Sequence, residues 1–266
     1  MDILAYLAAL MIGLSLGLLG GGGSILTVPV LVYLFGVDKV TSTAYSLFIV
    51  GATALGAIIP KAKQGLIDFK VALWFGAPSI AMVYATRKFI VPAIPEHIMS
   101  IGELMVDKGM ALMLLFAVLM LLAARGMLKG HTQVQQNKDL NTTQRVLIIL
   151  AEGAGVGLLT GLVGAGGGFL IIPALVLVTG LNMKVAVGTS LTIIAFKSLL
   201  GFTGDLGQIT MDWPLLFSIT GMALVGMLVG NLLTHRVNTA SLKKAFGWFV
   251  LAMGILVIAT ELFSNN

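Results

Sequence analysis

The 266-residue chain is 58% hydrophobic and 10% charged, with a mean hydropathy of +1.04, well above the roughly 45–50% apolar share of soluble domains. It has no cysteine, which excludes disulfides, thiol catalysis and iron–sulfur ligation. The formal charge of +5 comes from Lys and Arg lying mostly between apolar runs, where such residues set topology in the bilayer rather than form a nucleic-acid surface.

In chain order the apolar segments span approximately 3–20, 24–37, 41–60, 69–91, 109–124, 144–163, 168–180, 185–204, 213–234 and 242–263. Eight are long enough to cross about 30 Å of hydrocarbon as helices. No alternation of the kind a β-barrel needs is visible. The N-terminus lacks a basic leader and a cleavage site, so the first helix is expected in the mature chain. Segments 24–37 and 168–180 are short, and each follows a glycine cluster. They are thin crossings, tilted half-helices or re-entrant arms, and the sequence leaves that choice open at this stage.

Those two clusters belong to a repeat. Gly20-Gly21-Gly22-Gly23-Ser24 with Pro29 recurs 144 positions later as Gly164-Ala165-Gly166-Gly167-Gly168 with Pro173, and the offset holds without a gap from about Gly13 to Tyr84. Ser46, Gln64 and Asp68 match Ser190, Gln208 and Asp212. Matches of Gly, Pro, Gln and Asp are informative in a composition where Leu and Val matches are cheap. The expected fold is an all-α integral membrane protein of two homologous repeats. Each has four long helices and one short broken segment, giving eight long helices and up to ten crossings. The first repeat spans 1–128, a polar linker 129–143, and the second repeat 144–266. Residues Val91-Pro92-Ala93-Ile94-Pro95-Glu96-His97 read as extra loop in the first copy.

Charge separates the two topologies. If both short segments cross, Lys61, Lys63, Lys70, Arg125, Lys129, Lys138, Arg145, Lys184, Arg236, Lys243 and Lys244 share one side, against Lys39, Arg87, Lys88 and Lys108 on the other: 11 to 4, with Lys197 inside a helix. If both are re-entrant, the split is eight to seven. The positive-inside rule favours ten crossings, hence inverted repeats, a cytoplasmic linker and both termini outside the inner membrane.

The patterns Gly17-Leu18-Leu19-Gly20-Gly21-Gly22-Gly23-Ser24 with Pro29 and Gly161-Leu162-Val163-Gly164-Ala165-Gly166-Gly167-Gly168 with Pro173 resemble the repeated signature of the sulfite exporter TauE/SafE family of bacterial membrane permeases. The resemblance extends to the short linker and to Leu242-Lys243-Lys244-Ala245-Phe246 before the last helix, with Ala165 replacing one glycine. It implies a small secondary transporter, directed outward, of sulfite, sulfoacetate or related short sulfonates. It is specific for the family and not for one anion.

Each polar feature has a functional and a plain use. A glycine cluster exposes backbone N–H groups at the start of a short helix, where the dipole favours an anion, or it lets helices cross closely. The proline that follows both clusters favours the first use, since Pro29 and Pro173 remove a donor and break the helix. A phosphate loop is excluded because no Lys-Ser/Thr follows. The candidate substrate contacts are Gly22, Gly23, Ser24, Gly166, Gly167 and Gly168, with Ser46 and Ser190 as hydroxyl donors, although membrane serines more often bond their own helix. Lys197, in mid-segment, either balances the substrate charge or snorkels to the interface. Glu152 is a candidate proton-coupling carboxylate or a structural partner for a lysine such as Lys197. Asp68 and Asp212 read as helix N-caps. His97, His131 and His235 are scattered in loops, so no metal site and no cofactor are expected. The expected partners are a small anion and the bilayer, with a homodimer permitted by small-residue surfaces. The alternatives are a passive anion channel, a carrier of non-sulfur carboxylates, or a scaffold. An enzyme would need clustered acids or histidines that the chain lacks.

Overall fold

The protein is described by a computed structural model at residues 3–101, 104–128, 142–233 and 239–263. Apolar runs and good capping residues make ten helices among these residues. They are α1 (Ile3–Leu19), α2 (Thr27–Tyr33), α3 (Lys39–Lys63), α4 (Phe69–Ala93), α5 (Lys108–Leu128), α6 (Thr142–Val163), α7 (Gly168–Ala174), α8 (Met183–Phe202), α9 (Trp213–Leu233) and α10 (Thr239–Phe263). Seven are long and apolar enough to cross a membrane, and α1, with 17 residues, reaches about 25 Å. The protein is an all-α membrane protein. Asp68 and Asp212 cap α4 and α9 as expected, each accepting a backbone N–H at 3.0 Å. Asp38 and Asn182 do the same for α3 and α8.

Two local features differ from the sequence reading. Residues 91–97 are not simply loop: Val91, Pro92 and Ala93 extend α4, and His97 opens strand β1 (His97–Ile101), which pairs antiparallel with β2 (Leu104–Asp107). Arg87 is not a loop charge either. It lies in a π turn of α4 (Thr86–Ile90) and is fully buried. His131, His235 and residues 129–141 of the linker lie outside the described residues.

Contacts between helix ends show how the chain runs. The Tyr6 and Phe35 rings meet edge-on at 5.7 Å, so the chain returns after the first glycine break to the end where α1 began. Lys39 pairs with Glu261 at 2.5 Å, placing the end of α10 there too. The Gln208 side-chain amide donates to the Lys88 carbonyl at 3.3 Å, and the Asp212 N–H donates to the Tyr45 hydroxyl. The other end holds the start of α8, because the Asp68 N–H donates to Thr189 Oγ1 at 2.9 Å. Each short segment therefore returns the chain to the end of the bundle where the preceding long helix began. Because the chain has no cysteine, single cysteines report this directly. Glu96→Cys and Gln208→Cys are expected to react with an impermeant maleimide from one side of the membrane, and Gln64→Cys and Lys184→Cys from the other. Labelling of Lys184→Cys together with Glu96→Cys would mean re-entrant segments.

Helix α1 runs parallel to α9, and α4 parallel to α6; α3 is antiparallel to α8, and α5 to α10. Glycine makes the first two pairs close. A Cβ on Gly13 would fall on the Ala223 carbonyl, and one on Gly157 would fall 2.5 Å from the Ser79 carbonyl. This small-residue contact is what brings helices together in lipid, where the hydrophobic effect supplies no drive between them. Large side chains such as Leu7, Leu73, Leu122, Phe217 and Leu232 remain on the outside, as lipid-facing surface requires.

Candidate functional site

The two glycine clusters meet in the middle of the bundle. A Cβ on Gly21 would fall on Gly168 Cα, and one on Gly168 would fall on Gly21 Cα. Here glycine serves close backbone crossing. Around this crossing the contacts come in pairs separated by 144 positions: Gly20 faces Val187 of α8, and Gly164 faces Thr43 of α3.

The two breaks nevertheless have different structures. Residues Gly20–Leu26 wind into a 3₁₀ helix, whose i→i+3 bonds occupy most of its amides. Gly22 and Gly23 lie in that turn, Gly23 packed against Ser15 and Leu16 of α1, and the Ser24 hydroxyl donates to the Gly21 carbonyl at 2.8 Å. The second break is an open turn. Gly164, Gly166 and Gly167 have φ of +72°, +57° and +74°, a region that glycine enters without a Cβ penalty. Its bonds run from Gly164 N–H to the Thr160 carbonyl, from Gly167 N–H to Ala165, and from the Leu170 and Ile171 N–H groups to the Gly167 carbonyl. The amides of Ala165, Gly166, Gly168 and Phe169 stand outside these bonds. Successive amides in such a turn form an anion-binding concavity.

The prolines act differently from each other. Pro29 is the third residue of α2, in the first turn, where a missing N–H costs little. Pro173 is the sixth residue of α7, two residues before the start of a π turn (Leu175–Thr179), where its ring frees the Phe169 carbonyl.

Lys197 completes the second break. It is fully buried, its Nζ donates to Thr160 Oγ1 at 2.7 Å, and it stands 2.9 Å from where a Cβ on Gly167 would be. The lysine therefore points at the turn and does not snorkel. Among the described residues the ion pairs are Lys39 with Glu261, Arg87 with Asp205 and Lys108 with Glu96; Lys197 is in none of them. Glu152 is half-buried and also unpaired among these residues. It lies two turns before Thr160 on α6, about 12 Å along the axis.

The matched serines part company. Ser190 donates to the Val187 carbonyl of its own helix at 2.9 Å. Ser46 is fully buried, and among the described residues its hydroxyl has no partner. It shares a face of α3 with Thr43 and Val50, which contact Gly164 and Gly166, so it faces the second break.

Sequence reasoning missed Thr160, Arg87 and Asp205. Thr160 matches Leu16, so repetition gave no signal. Arg87 carried one: Phe89, Ile90 and Val91 follow it, so it sits inside an apolar run. A recess of about 560 Å³ opens at the end of the bundle holding Lys39 and Glu96. None of its lining residues belongs to the glycine breaks.

Similarity to known proteins agrees with this architecture. Residues 5–257 match the sulfite exporter TauE/SafE family. A "Probable membrane transporter protein" of Xylella fastidiosa (strain 9a5c) is 31% identical over 93% of this chain and 91% of its own length. The "Probable membrane transporter protein YdhB" of Bacillus subtilis (strain 168) is 26% identical over 96% of this chain and all of its own. No solved structure is a significant match. Multi-pass helices, a broken centre and a match over nearly the whole length lead to one conclusion: the chain belongs to the sulfite exporter TauE/SafE family of membrane transporters.

Proposed function

We propose that the protein is a secondary exporter of small sulfur oxyanions or short sulfonates, which bind at the second glycine break. The observation that carries this is Lys197, an ammonium buried beside Gly167 whose hydrogen-bond partner is the hydroxyl of Thr160, with no carboxylate in an ion pair to it among the described residues. A charge at membrane depth without a counter-charge costs about 2.5–3.5 kcal/mol even on insertion scales. An anion in the turn supplies that counter-charge, while the amides of Ala165, Gly166, Gly168 and Phe169 and the Ser46 hydroxyl donate to its oxygens. The two repeats of 1–128 and 144–266 would rock about the crossing of Gly21 and Gly168 to give alternating access. The charge asymmetry supports a bacterial inner-membrane location with a cytoplasmic linker.

The test is thermal stabilisation of the detergent-purified protein by sulfite, sulfate, thiosulfate, taurine, sulfoacetate, isethionate and short carboxylates. A true ligand at 100 times its Kd raises stability by about 2.7 kcal/mol. Stabilisation by a sulfonate or sulfite and not by acetate is the expected result. Response to carboxylates alone would replace the substrate class, and response to no anion would remove the anion site.

A further inference from the structure

A second buried cation lies near the same turn. Arg87 Nη1 and Nη2 both donate to Thr43 Oγ1 at 2.9 Å, and the Thr43 carbonyl lies against Gly164. Arg87 Nε stands 3.0 Å from Asp205 Oδ2. Among the described residues neither Arg87 Nε nor Asp205 Oδ2 has a well-aligned hydrogen-bond partner, although both are buried. A guanidinium carries five N–H donors in a planar fork that suits a bidentate oxyanion. Here it is fully enclosed, with one hydroxyl and one badly aligned carboxylate to serve them.

Other charges do not compete for the pair. Lys88, the next residue, turns its ammonium to the Tyr84 hydroxyl at 3.0 Å. Asp212, farther along the same loop, is occupied with the Leu215 N–H. Gln208, from the loop carrying Asp205, donates to the Gly204 and Lys88 carbonyls. Thr43 and Gly204, which pack on Arg87, are uncharged.

Building on the anion-transport reading, we propose that Arg87 is a second anion-binding group of the translocation path. Asp205 is its exchangeable counter-ion, so that protonation of Asp205 hands Arg87 to the substrate. Proton and anion then move together. The balance is simple: the carboxylate takes one proton from solution, its ion pair with Arg87 lapses, and a substrate oxyanion takes its place with no covalent change. Asp205 lies outside the spanning helices, and burial raises its pKa from 3.8 to about 6, with Arg87 acting in the opposite direction. Below that value the acid is neutral and Arg87 is available. Above it the carboxylate competes, so anion affinity falls as pH rises.

Isothermal titration of the full chain with sulfate, isethionate and methanesulfonate, which stay ionised throughout, tests this between pH 5 and 7.5. The wild type is expected to lose up to about 30-fold in affinity over that range if only the protonated form binds. Asp205→Asn is expected to bind at pH 7.5 more tightly than the wild type does at that pH, and to have a shallower pH profile. Arg87→Lys is expected to bind more weakly at every pH. A flat wild-type profile, or a slope in Asp205→Asn as steep as the wild type's, overturns the role of Asp205. Binding of none of these anions by any protein at any pH overturns the anion reading itself. Should Asp205→Asn fail to fold, the wild type alone decides: anion binding in weakly buffered solution at pH 7 must take up a proton, and no uptake refutes the proposal.

Discussion

Leucine at Gly21 or Gly168 will leave almost no folded protein to extract, whereas leucine at Gly155 or Gly221 will leave the yield and melting temperature unchanged. At the first two positions the added Cβ falls on backbone of the opposite break, and neither backbone can move away because each is held by two further helices. Overpacking in a core ordinarily costs about 1–3 kcal/mol because side chains repack. Overlap of backbone with backbone has no such relief, and a loss above about 4 kcal/mol is expected. At Gly155 and Gly221 nothing lies within 4 Å, so the same substitution meets lipid. Fluorescence-detected size exclusion and thermal melts of the four variants are the measurement. Equal behaviour of all four would mean that the breaks do not cross as described.

Replacing Lys197 with methionine is the second large effect, and its two readouts move apart. Methionine keeps the unbranched length and removes the charge, so the melting temperature of the ligand-free protein is expected to hold or rise. The stabilisation by sulfonate or sulfite is expected to disappear, because a charge-assisted contact is worth about 1.5–3 kcal/mol, or at least tenfold in affinity. Retention of the full anion response in Lys197→Met would remove the lysine from the site. Gly167→Leu is a poorer probe. With φ of +74° and a Cβ that would fall on Thr160 Cγ2, it damages the turn and the site together.

The legible part of the molecule was the part that repeats. Glycine, proline and capping residues at a fixed offset located both breaks and the caps at Asp68 and Asp212, because these residues impose backbone geometry whatever surrounds them. The site was less legible because it departs from the repeat. Closely similar glycine patterns gave a wound 3₁₀ turn in one half and an open turn in the other, and the neighbours differ: Leu16 where the second half has Thr160, and Thr53 where it has Lys197. Ser46 and Ser190, equal in sequence, differ in whether a carbonyl of their own helix has already taken the hydroxyl. Arg87 was hidden for another reason. Counting charges by side assumes that they reach water, and burial of a guanidinium against an acid from a distant loop is a tertiary fact.

The pairing of α1 with α9 bears on how the protein is made. Helix α1 has its glycine face, Gly13 and Gly17, closed by Ala223 and Met227, residues that leave the ribosome some two hundred positions later. Until then a grooved, incompletely packed helix must wait in the lipid. Contacts so distant in sequence are slow to form, and the second repeat's first helix, α6, has no such delay because α4 already exists. A chain cut in the linker would leave α1 with no surface to close on. The two halves, made separately, are thus expected to accumulate only when produced together.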